Sequence, residues 1–210
     1  MLKKWTDLPN EMRNDAVKKY YSLLERKRGS LFLKRVFDIV VSSIMLILLS
    51  PVFLILAIAI KCDSPGPVFF RQVRVTQYGK KFRIFKFRTM VNDAEKLGAQ
   101  VTSKDDMRIT RVGRFIRRYR LDEICQLIDI LRGTMSFVGT RPEVPKFVQH
   151  YTEEMMATLL LPAGVTSEAS ICYKDEEKLL EEATDVDRIY TEKILPDKMQ
   201  YNLNAIENSS

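Results

Sequence analysis

The chain has 210 residues, enough for one domain with a substantial core, and its 46% hydrophobic and 29% charged content excludes a disordered chain. A net charge of +7 favours an anionic partner. Three cysteines (Cys62, Cys125, Cys172) without a CxxC spacing and a single histidine, His150, argue against a disulfide scaffold, a Cys/His zinc site, and any Ser-His-Asp triad that does not use His150. The chemistry left to the chain uses carboxylates, Lys and Arg, hydroxyls or an oxygen-liganded metal.

Residues 8–27 read as an amphipathic helix, with Pro9 in its first turn and Met12, Ala16, Tyr20, Leu23 and Leu24 on one face. Such a face serves a partner or a membrane interface, but packing on the body is the simpler expectation. From Ile39 to Ile60 there are 22 residues without a charge. As a helix this segment is about 33 Å long, against a hydrocarbon core of about 30 Å. It begins too late and runs too long for a signal peptide, and it is apolar on all sides, unlike most core helices. Ser50-Pro51 interrupts it at the midpoint, where a proline removes a helical hydrogen bond. Basic residues flank both ends, with Lys19, Arg26, Lys27, Arg28, Lys34 and Arg35 before it and Lys61, Arg71, Arg74 and Lys80 after it. A spanning helix therefore gains no orientation, whereas a helix–break–helix that enters and leaves by one face keeps both clusters on one side. The reading is a re-entrant hairpin over 34–62, broken at Ser50 and Pro51. Asp38 lies at helical spacing from Lys34 and Arg35, which would neutralise it at the boundary.

Ser64-Pro65-Gly66-Pro67 marks a turn, and PVFFRQVRV (67–75) and KFRIFKFRTM (81–90) read as two β segments joined around Gln77-Tyr78-Gly79. The alternation of the second shifts at Ile84-Phe85, which predicts a bulge. Its aromatics belong in a core, while Arg71, Arg74, Lys86 and Arg88 are solvated or bind an anion. The same interleaving also suits single-stranded nucleic acid. VGRFIRRYR (112–120) begins a basic helix. LDEICQLIDILRG (121–133) follows as a helix with Ile124, Leu127, Ile128 and Leu131 on one face, Asp122 and Glu123 in its first turn and Gly133 as its stop. Ala163-Gly164 marks a loop before an acidic C-terminal segment. Residues 1–149 hold 29 basic and 14 acidic side chains, and residues 150–210 hold 5 and 13. A basic body of this kind suits phosphate, nucleic acid or an anionic membrane surface, although a merely solvated surface has the same composition. The fold class is α+β, mostly helical and membrane-associated. The organisation is an N-terminal amphipathic helix (1–33), the hairpin (34–62), a small cytoplasmic domain with a short β-hairpin (63–165) and the acidic segment (166–210).

Adjacent Asp122 and Glu123 follow Arg114, Arg117, Arg118 and Arg120. Acidic residues in a first helical turn ordinarily complement the helix dipole. Neighbouring carboxylates also point about 100° apart on a helix of 3.6 residues per turn, so one can attack or take a proton while the other holds a metal. Arginine grips phosphate oxygens in a bidentate manner, and Mg²⁺ is commonly held by one or two carboxylates plus the substrate's phosphates. SFVGTRPEVP (136–145) adds Arg141 before Pro142 in a turn.

These strings resemble the bacterial sugar transferases, the monotopic polyprenyl-phosphate phosphoglycosyl transferases. The resemblance runs from Lys34 to about Gly164: KRVFD (34–38), Ser50-Pro51, GPVFFRQVR (66–74), KFRTM (86–90), RITRVGRFIRR (108–118) and LDEICQLIDILRGTMSFVGTRP (121–142). It implies transfer of a sugar 1-phosphate from a UDP-sugar to undecaprenyl or a related polyprenyl phosphate, with release of UMP, as the first membrane step of a surface glycan. It also implies a membrane helix broken at Ser-Pro, on the cytoplasmic face of the bacterial cell membrane. Asp122 would be the nucleophile that forms a covalent phosphosugar-aspartate, and Glu123 would bind Mg²⁺. Arg141, with Pro142, would bind phosphate or nucleotide, and Arg88, Arg117 and Lys174 are further phosphate-binding candidates. Implied partners are the UDP-sugar, polyprenyl phosphate, membrane lipid, downstream glycosyltransferases and a second copy of the chain in a homodimer, but not nucleic acid.

The sequence departs from the family in places. Thr140 stands where many members have proline. LPAGVTSEASICYKDEE (161–177) lacks the usual Gly-(Trp/Leu)-Ala-Gln-Val continuation, and the match of Lys174 rests on this stretch. Neither the apolar C-terminal helix of many members nor the N-terminal membrane domain of larger ones occurs in these 210 residues. The competing readings are a membrane-anchored module that binds anionic lipid or nucleic acid without catalysis, and a catalytically inactive platform of the same fold. The first makes Asp122 and Glu123 dispensable, and the retention of Asp122, Glu123 and Arg141 counts against the second.

Overall fold

A computed structural model describes residues 2–92, 94, 106–174, 176 and 185–208. Short 3₁₀ turns at Trp5–Asp7 and Asn10–Met12 precede helix α1 (Asp15–Arg26). The side chain of Asn14 accepts a hydrogen bond from the Val17 N–H at 2.8 Å, so the helix starts there. This corrects the placement of Pro9, which lies before the Asn10–Met12 turn instead of in the helix's first turn. The buried face of α1 is Val17, Tyr20, Tyr21 and Leu24. It packs on Ala157, Leu159 and Leu160 and on Leu203 and Ile206 of the C-terminal helix (Leu195–Glu207), so this amphipathic face belongs to the body.

Helices α2 (Arg28–Leu48) and α3 (Ser50–Asp63) meet at a bend of 60°. The bend has a local cause. Pro51 has no N–H to give the carbonyl of Ile47, four residues back, and the Ser50 hydroxyl donates to that carbonyl at 2.8 Å in its place. The ladder continues on either side, from Leu49 N–H to Met45 and from Phe53 N–H to Leu49. No single helix among the described residues is long and apolar enough to cross a membrane, but the bent pair is, by length and composition. Its outer face exposes Leu33, Ile47, Leu48, Leu54 and Ile55, each more than 60% accessible.

The base of α2 is tied to the body. Lys34 lies 3.7 Å from Asp38 and also hydrogen-bonds Ser136, and Asp38 accepts from the Phe137 N–H at 3.3 Å. Arg35 turns away from Asp38. It donates to the carbonyls of Ile130 (2.6 Å) and Leu131 (2.9 Å), at the end of helix α5 (Gln126–Arg132), where cations complement the dipole.

Strands β1 (Phe69–Val75) and β2 (Lys81–Phe87) form an antiparallel hairpin around Gln77–Gly79, with Tyr78 and Gly79 both at positive φ. The register is continuous from Phe69 opposite Phe87 to Val75 opposite Lys81, so the bulge expected at Ile84-Phe85 is absent. The shift in alternation has another origin, because both sheet faces are covered. Phe69, Phe85 and Phe87 pack with Leu56 and Ile60 of α3, whereas Phe82 and Ile84 pack with Leu127 and Ile130 of α5. The strand also ends at Phe87, before the Thr89-Met90 expected within it. The buried carboxylate of Asp129 accepts the outward N–H of Phe85 at 2.8 Å, which satisfies that edge of β2.

Helix α4 (Arg111–Arg118) is fastened to α3, whose last residue, Asp63, accepts from the Val112 N–H at 2.9 Å. A second sheet pairs β3 (Met135–Val138) with β4 (Ala163–Thr166) in parallel, which overturns the reading of Ala163-Gly164 as a loop. Two glycines allow the pairing, since a Cβ on Gly164 would lie 2.2 Å from both N and O of Gly139. Helix α6 (Pro145–Val148) and helix α7 (Glu168–Cys172) complete the body together with the C-terminal helix.

Gly164→Ala should force the two strands apart and lower unfolding stability by about 2–3 kcal/mol, the upper range for overpacking. Thermal or denaturant unfolding of the detergent-solubilised protein measures it, and an unchanged midpoint would contradict the close strand contact.

Candidate active site

The site is built where α4 hands over to α5. Arg120 adopts the left-handed conformation (φ 52°, ψ 28°), which is uncommon for a residue with a Cβ and costs of order 1–3 kcal/mol. It stops α4 and lets the chain restart as a 3₁₀ turn, Leu121–Cys125, before α5 begins. Asp122 and Glu123 therefore sit in that turn. The single helix expected over 121–133 is two elements, although Gly133 (φ 82°) ends the second as expected.

Both carboxylates are mostly buried, with side-chain exposures of 18% for Asp122 and 15% for Glu123. Arg141 comes from the turn after β3 and binds Glu123 through both terminal nitrogens: Nη2 donates to Oε1, and Nη1 lies 3.3 Å from Oε2. Lys86 comes from β2, on the face that carries Phe82 and Ile84, and donates to Glu123 Oε1 at 3.0 Å. Its ammonium also lies 3.8 Å from Asp122 Oδ2. The turn bearing Arg141 is set by the glycine pair, since the Gly164 N–H donates to the Thr140 carbonyl at 2.8 Å.

The two neighbouring acids titrate in opposite directions. Burial pushes the Asp122 carboxyl above the ordinary aspartate value; Lys86 opposes this shift and the Glu123 charge adds to it. Burial acts on Glu123 in the same sense, but Lys86 and Arg141 together outweigh it and hold that carboxyl at about 2. One acid is thus a fixed, fully paired anion, and the other is a less stabilised carboxylate with its oxygens less engaged.

The remaining residues singled out in the sequence lie as follows. Arg117 is partly buried on α4, and its charge acts on Asp122. Pro142 offers its carbonyl to Arg74 Nη1 at 3.2 Å. Arg88 is engaged elsewhere: it is 5% exposed and donates to the Ser64 carbonyl (2.6 Å), the Ser64 hydroxyl (2.9 Å) and the Pro65 carbonyl (3.0 Å) in the turn that leaves α3. Gly66 makes room for it, since a Cβ there would lie 2.1 Å from Nη1. Lys174 is exposed just beyond α7 and takes no part in the carboxylate cluster. Ser50 and Pro51 lie at the bend of the hairpin. His150 is exposed, with Nδ1 3.1 Å from the Lys146 carbonyl. Lys86 is the group that the sequence reading left undecided. Its place two residues beyond Ile84 on one strand face was the signal available.

Among the described residues no three His, Cys, Asp or Glu side chains converge as a metal site. Asp122 and Glu123 nevertheless supply two hard oxygen-bearing groups side by side. That donor set fits Mg²⁺, which usually takes one or two carboxylates and completes its shell with phosphate and water.

The family model for bacterial sugar transferases matches residues 29–200, and the chain belongs to that family. It is 44% identical over 140 residues to the UDP-N-acetylgalactosamine-undecaprenyl-phosphate N-acetylgalactosaminephosphotransferase of Aeromonas hydrophila, a match covering 63% of this chain and 33% of that protein. It is 42% identical over 143 residues to the UDP-glucose:undecaprenyl-phosphate glucose-1-phosphate transferase of Escherichia coli (strain K12), covering 66% and 31%. With the uncharacterized sugar transferase EpsL of Bacillus subtilis (strain 168), identity is 35% over 141 residues, covering 67% and 69%. The chain thus spans about a third of the first two proteins and about two thirds of the third.

The opposed shifts predict opposite stability effects. Asp122 is raised, so its contribution is largest at low pH and is lost as pH rises through its folded value; Asp122→Asn should raise the thermal midpoint at pH 7. Glu123 is lowered, so its contribution is present above the unfolded value of 4.5 and fades as pH falls towards about 2. Glu123→Gln should cost about 1.5–3 kcal/mol at pH 7, the range for a hydrogen bond to a charged group, and progressively less in acid. Midpoints of the two variants that move in the same direction at pH 7 would contradict the assignment.

Proposed function

We propose that the chain transfers a sugar 1-phosphate from a UDP-sugar to undecaprenyl phosphate or a related polyprenyl phosphate, releasing UMP, at the cytoplasmic face of a bacterial membrane. The observation that supports it most is the division of labour between the two acids. Glu123 is locked by Lys86 and Arg141, whereas Asp122 is desolvated and faces the Lys86 ammonium at 3.8 Å.

In the first step an Asp122 carboxylate oxygen attacks the phosphorus that bears the sugar. A new P–O bond to aspartate forms, and the bond to the bridging oxygen breaks, with UMP leaving as the anion. In the second step a phosphate oxygen of the polyprenyl phosphate attacks the same phosphorus. The Asp122–phosphorus bond breaks, the carboxylate is restored, and polyprenyl-diphosphate-sugar leaves. Splitting the transfer in this way gives ping-pong kinetics. Burial suits the role of Asp122, because a less solvated carboxylate with a raised pKa is the stronger nucleophile. Lys86 and Arg141 offer fixed positive charge where phosphate oxygens gain charge. Glu123 would hold Mg²⁺, which when bound neutralises diphosphate charge.

The apolar hairpin α2–α3 supports embedding in one leaflet, bent at Ser50-Pro51, with the site at the membrane surface between a soluble nucleotide sugar and a lipid phosphate. The relatives' names differ in their sugar, N-acetylgalactosamine in one and glucose in another, so the donor here is to be identified by assay.

Purified protein in nanodiscs with Mg²⁺, undecaprenyl phosphate and a panel of UDP-sugars should release UMP with one donor. Asp122→Ala should abolish release, and substantial turnover by that variant would sink the covalent mechanism. For the hairpin, exposed Cys62 and Cys172 are first replaced by serine, and single cysteines are then placed at positions 30 and 64. Both should react with an impermeant label only from the cytoplasmic side; labelling of either from outside would mean a true span.

A further inference from the structure

We propose that Glu143, Tyr190 and Lys198 are positioning residues for Arg141, so that the C-terminal segment sets the geometry of the active site through a buried network of charged groups. The proposal rests on the reading of Arg141 as a phosphate-binding group.

Direct contacts join Glu143, Tyr190, Lys198 and Glu176, and the Arg-Pro-Glu backbone turn joins Glu143 to Arg141. Glu143 lies two residues beyond Arg141 and is 6% exposed. Its Oε1 accepts from the Tyr190 hydroxyl at 2.6 Å and lies 3.8 Å from the Lys198 ammonium. Lys198, also 6% exposed, donates to the Tyr190 hydroxyl at 3.1 Å and to Glu176 Oε2 at 2.8 Å. The hydroxyl thus accepts from lysine and donates to glutamate, which leaves it satisfied. On the other side, Arg74 donates to the Pro142 carbonyl at 3.2 Å, and the Val75 N–H donates to the Glu143 carbonyl at 2.9 Å. These two bonds clamp the Arg-Pro-Glu turn to β1. Charge therefore runs from Glu123 to the pair of guanidiniums, Arg141 and Arg74, then to Glu143, and on to Lys198 and Glu176.

The physical need for Glu143 follows from the two guanidiniums. Arg74 and Arg141 lie close enough to repel, and Glu143 attracts both. Without that anion the like charges would drive the turn apart, or leave Arg141 held only by Glu123 and the Val165 carbonyl. Glu143 in turn is a buried carboxylate, which a protein keeps ionised only with a cation and hydrogen bonds at hand. Lys198 and Tyr190 supply both, and neither touches Asp122 or Glu123. They come from the segment after residue 185, which packs through Tyr190, Ile194, Leu195 and Met199 against Phe147 and Tyr151, beside the same turn.

The test uses the full chain in nanodiscs with three readouts: thermal midpoint, UMP release, and the Nε–Hε NMR cross-peak of Arg141, identified by its loss in Arg141→Lys. Lys198→Met should shift and broaden that cross-peak and lower kcat/KM by roughly tenfold, since small misplacements of a positioned group are costly in rate. The double variant Glu143→Gln/Lys198→Met removes both charges and keeps an acceptor for Tyr190. It should recover the midpoint but not the rate. A double variant as fast as the parent would overturn the proposal, because the residues would then only satisfy one another. So would a cross-peak unmoved by Lys198→Met, whatever the turnover. If the parent releases no UMP, the functional reading fails and the cross-peak alone decides the positioning. If Lys198→Met does not fold, Tyr190→Phe, which alters no charge, should move the cross-peak in its place.

Discussion

Glu123 is gripped by two cations that reach it from distant parts of the chain, Lys86 from a strand and Arg141 from the turn after another. A carboxylate this buried is tolerable only with such partners, and the partners are in place only if several elements are built correctly. Lys86 faces Glu123 because β2 runs in unbroken register with β1, which puts Phe82, Ile84 and Lys86 on one face. Arg141 faces it because β3 and β4 come together at two glycines. The 3₁₀ turn that presents Glu123 exists because Arg120 accepts a left-handed conformation. Three pieces of backbone geometry, each with its own cost, are thereby tied to one ion cluster.

The same logic joins the apolar hairpin to the body. Each junction is a charged side chain that satisfies backbone groups which would otherwise lack partners. Arg35 takes the last carbonyls of α5, Asp63 takes an N–H at the start of α4, and Arg88 takes two carbonyls as the chain leaves α3. Helix ends and tight turns carry such unpaired groups by construction. Using charged residues to pair them fixes the hairpin to α4 and α5, the two helices that flank the 3₁₀ turn of Asp122 and Glu123. Arg88 belongs to this framework in the geometry seen here, and its partners are carbonyls instead of the carboxylate pair.

What could be read from the sequence divides along the range of the interactions. The helix stop at Gly133, the hairpin around Gln77–Gly79 and the break at Ser50-Pro51 are local, and each appears where residue chemistry places it. The false bulge at Ile84-Phe85 came from assuming one buried sheet face, whereas α3 covers one face and α5 the other. β3 and β4 are four residues each, with 24 residues between them, and two glycines at their contact carry no hydrophobic pattern. Pro9 misled because a proline suits any first turn, while the Asn14 side chain decides which turn begins the helix. Within the candidate site, adjacency draws attention to Asp122 and Glu123, and Arg141 is singled out by the family resemblance and not by spacing. The part played by Lys86, and the occupation of Arg88 by carbonyls, depend on which elements pack together, and no spacing rule carries that information.

The opposed titration of neighbouring acids shows how a conflict between stability and chemistry is divided between two positions. Two adjacent buried carboxylates repel, and the fold could relieve this by pairing both equally. It pairs one fully. Glu123 takes Arg141 and the closer contact to Lys86, while Asp122 has the longer Lys86 contact at 3.8 Å, a weaker influence from Arg117, and a raised pKa. A carboxylate with weaker partners lowers stability, but in the proposed mechanism it keeps electron density that full pairing would withdraw. The fully paired neighbour, in exchange, holds the two cations in place without donating its own reactivity. Burial alone would not produce this asymmetry, because it raises both groups. The uneven placement of Lys86 and Arg141 does, and for that reason the geometry of the Arg141 turn, down to the charges behind it, bears on the electrostatic environment of Asp122.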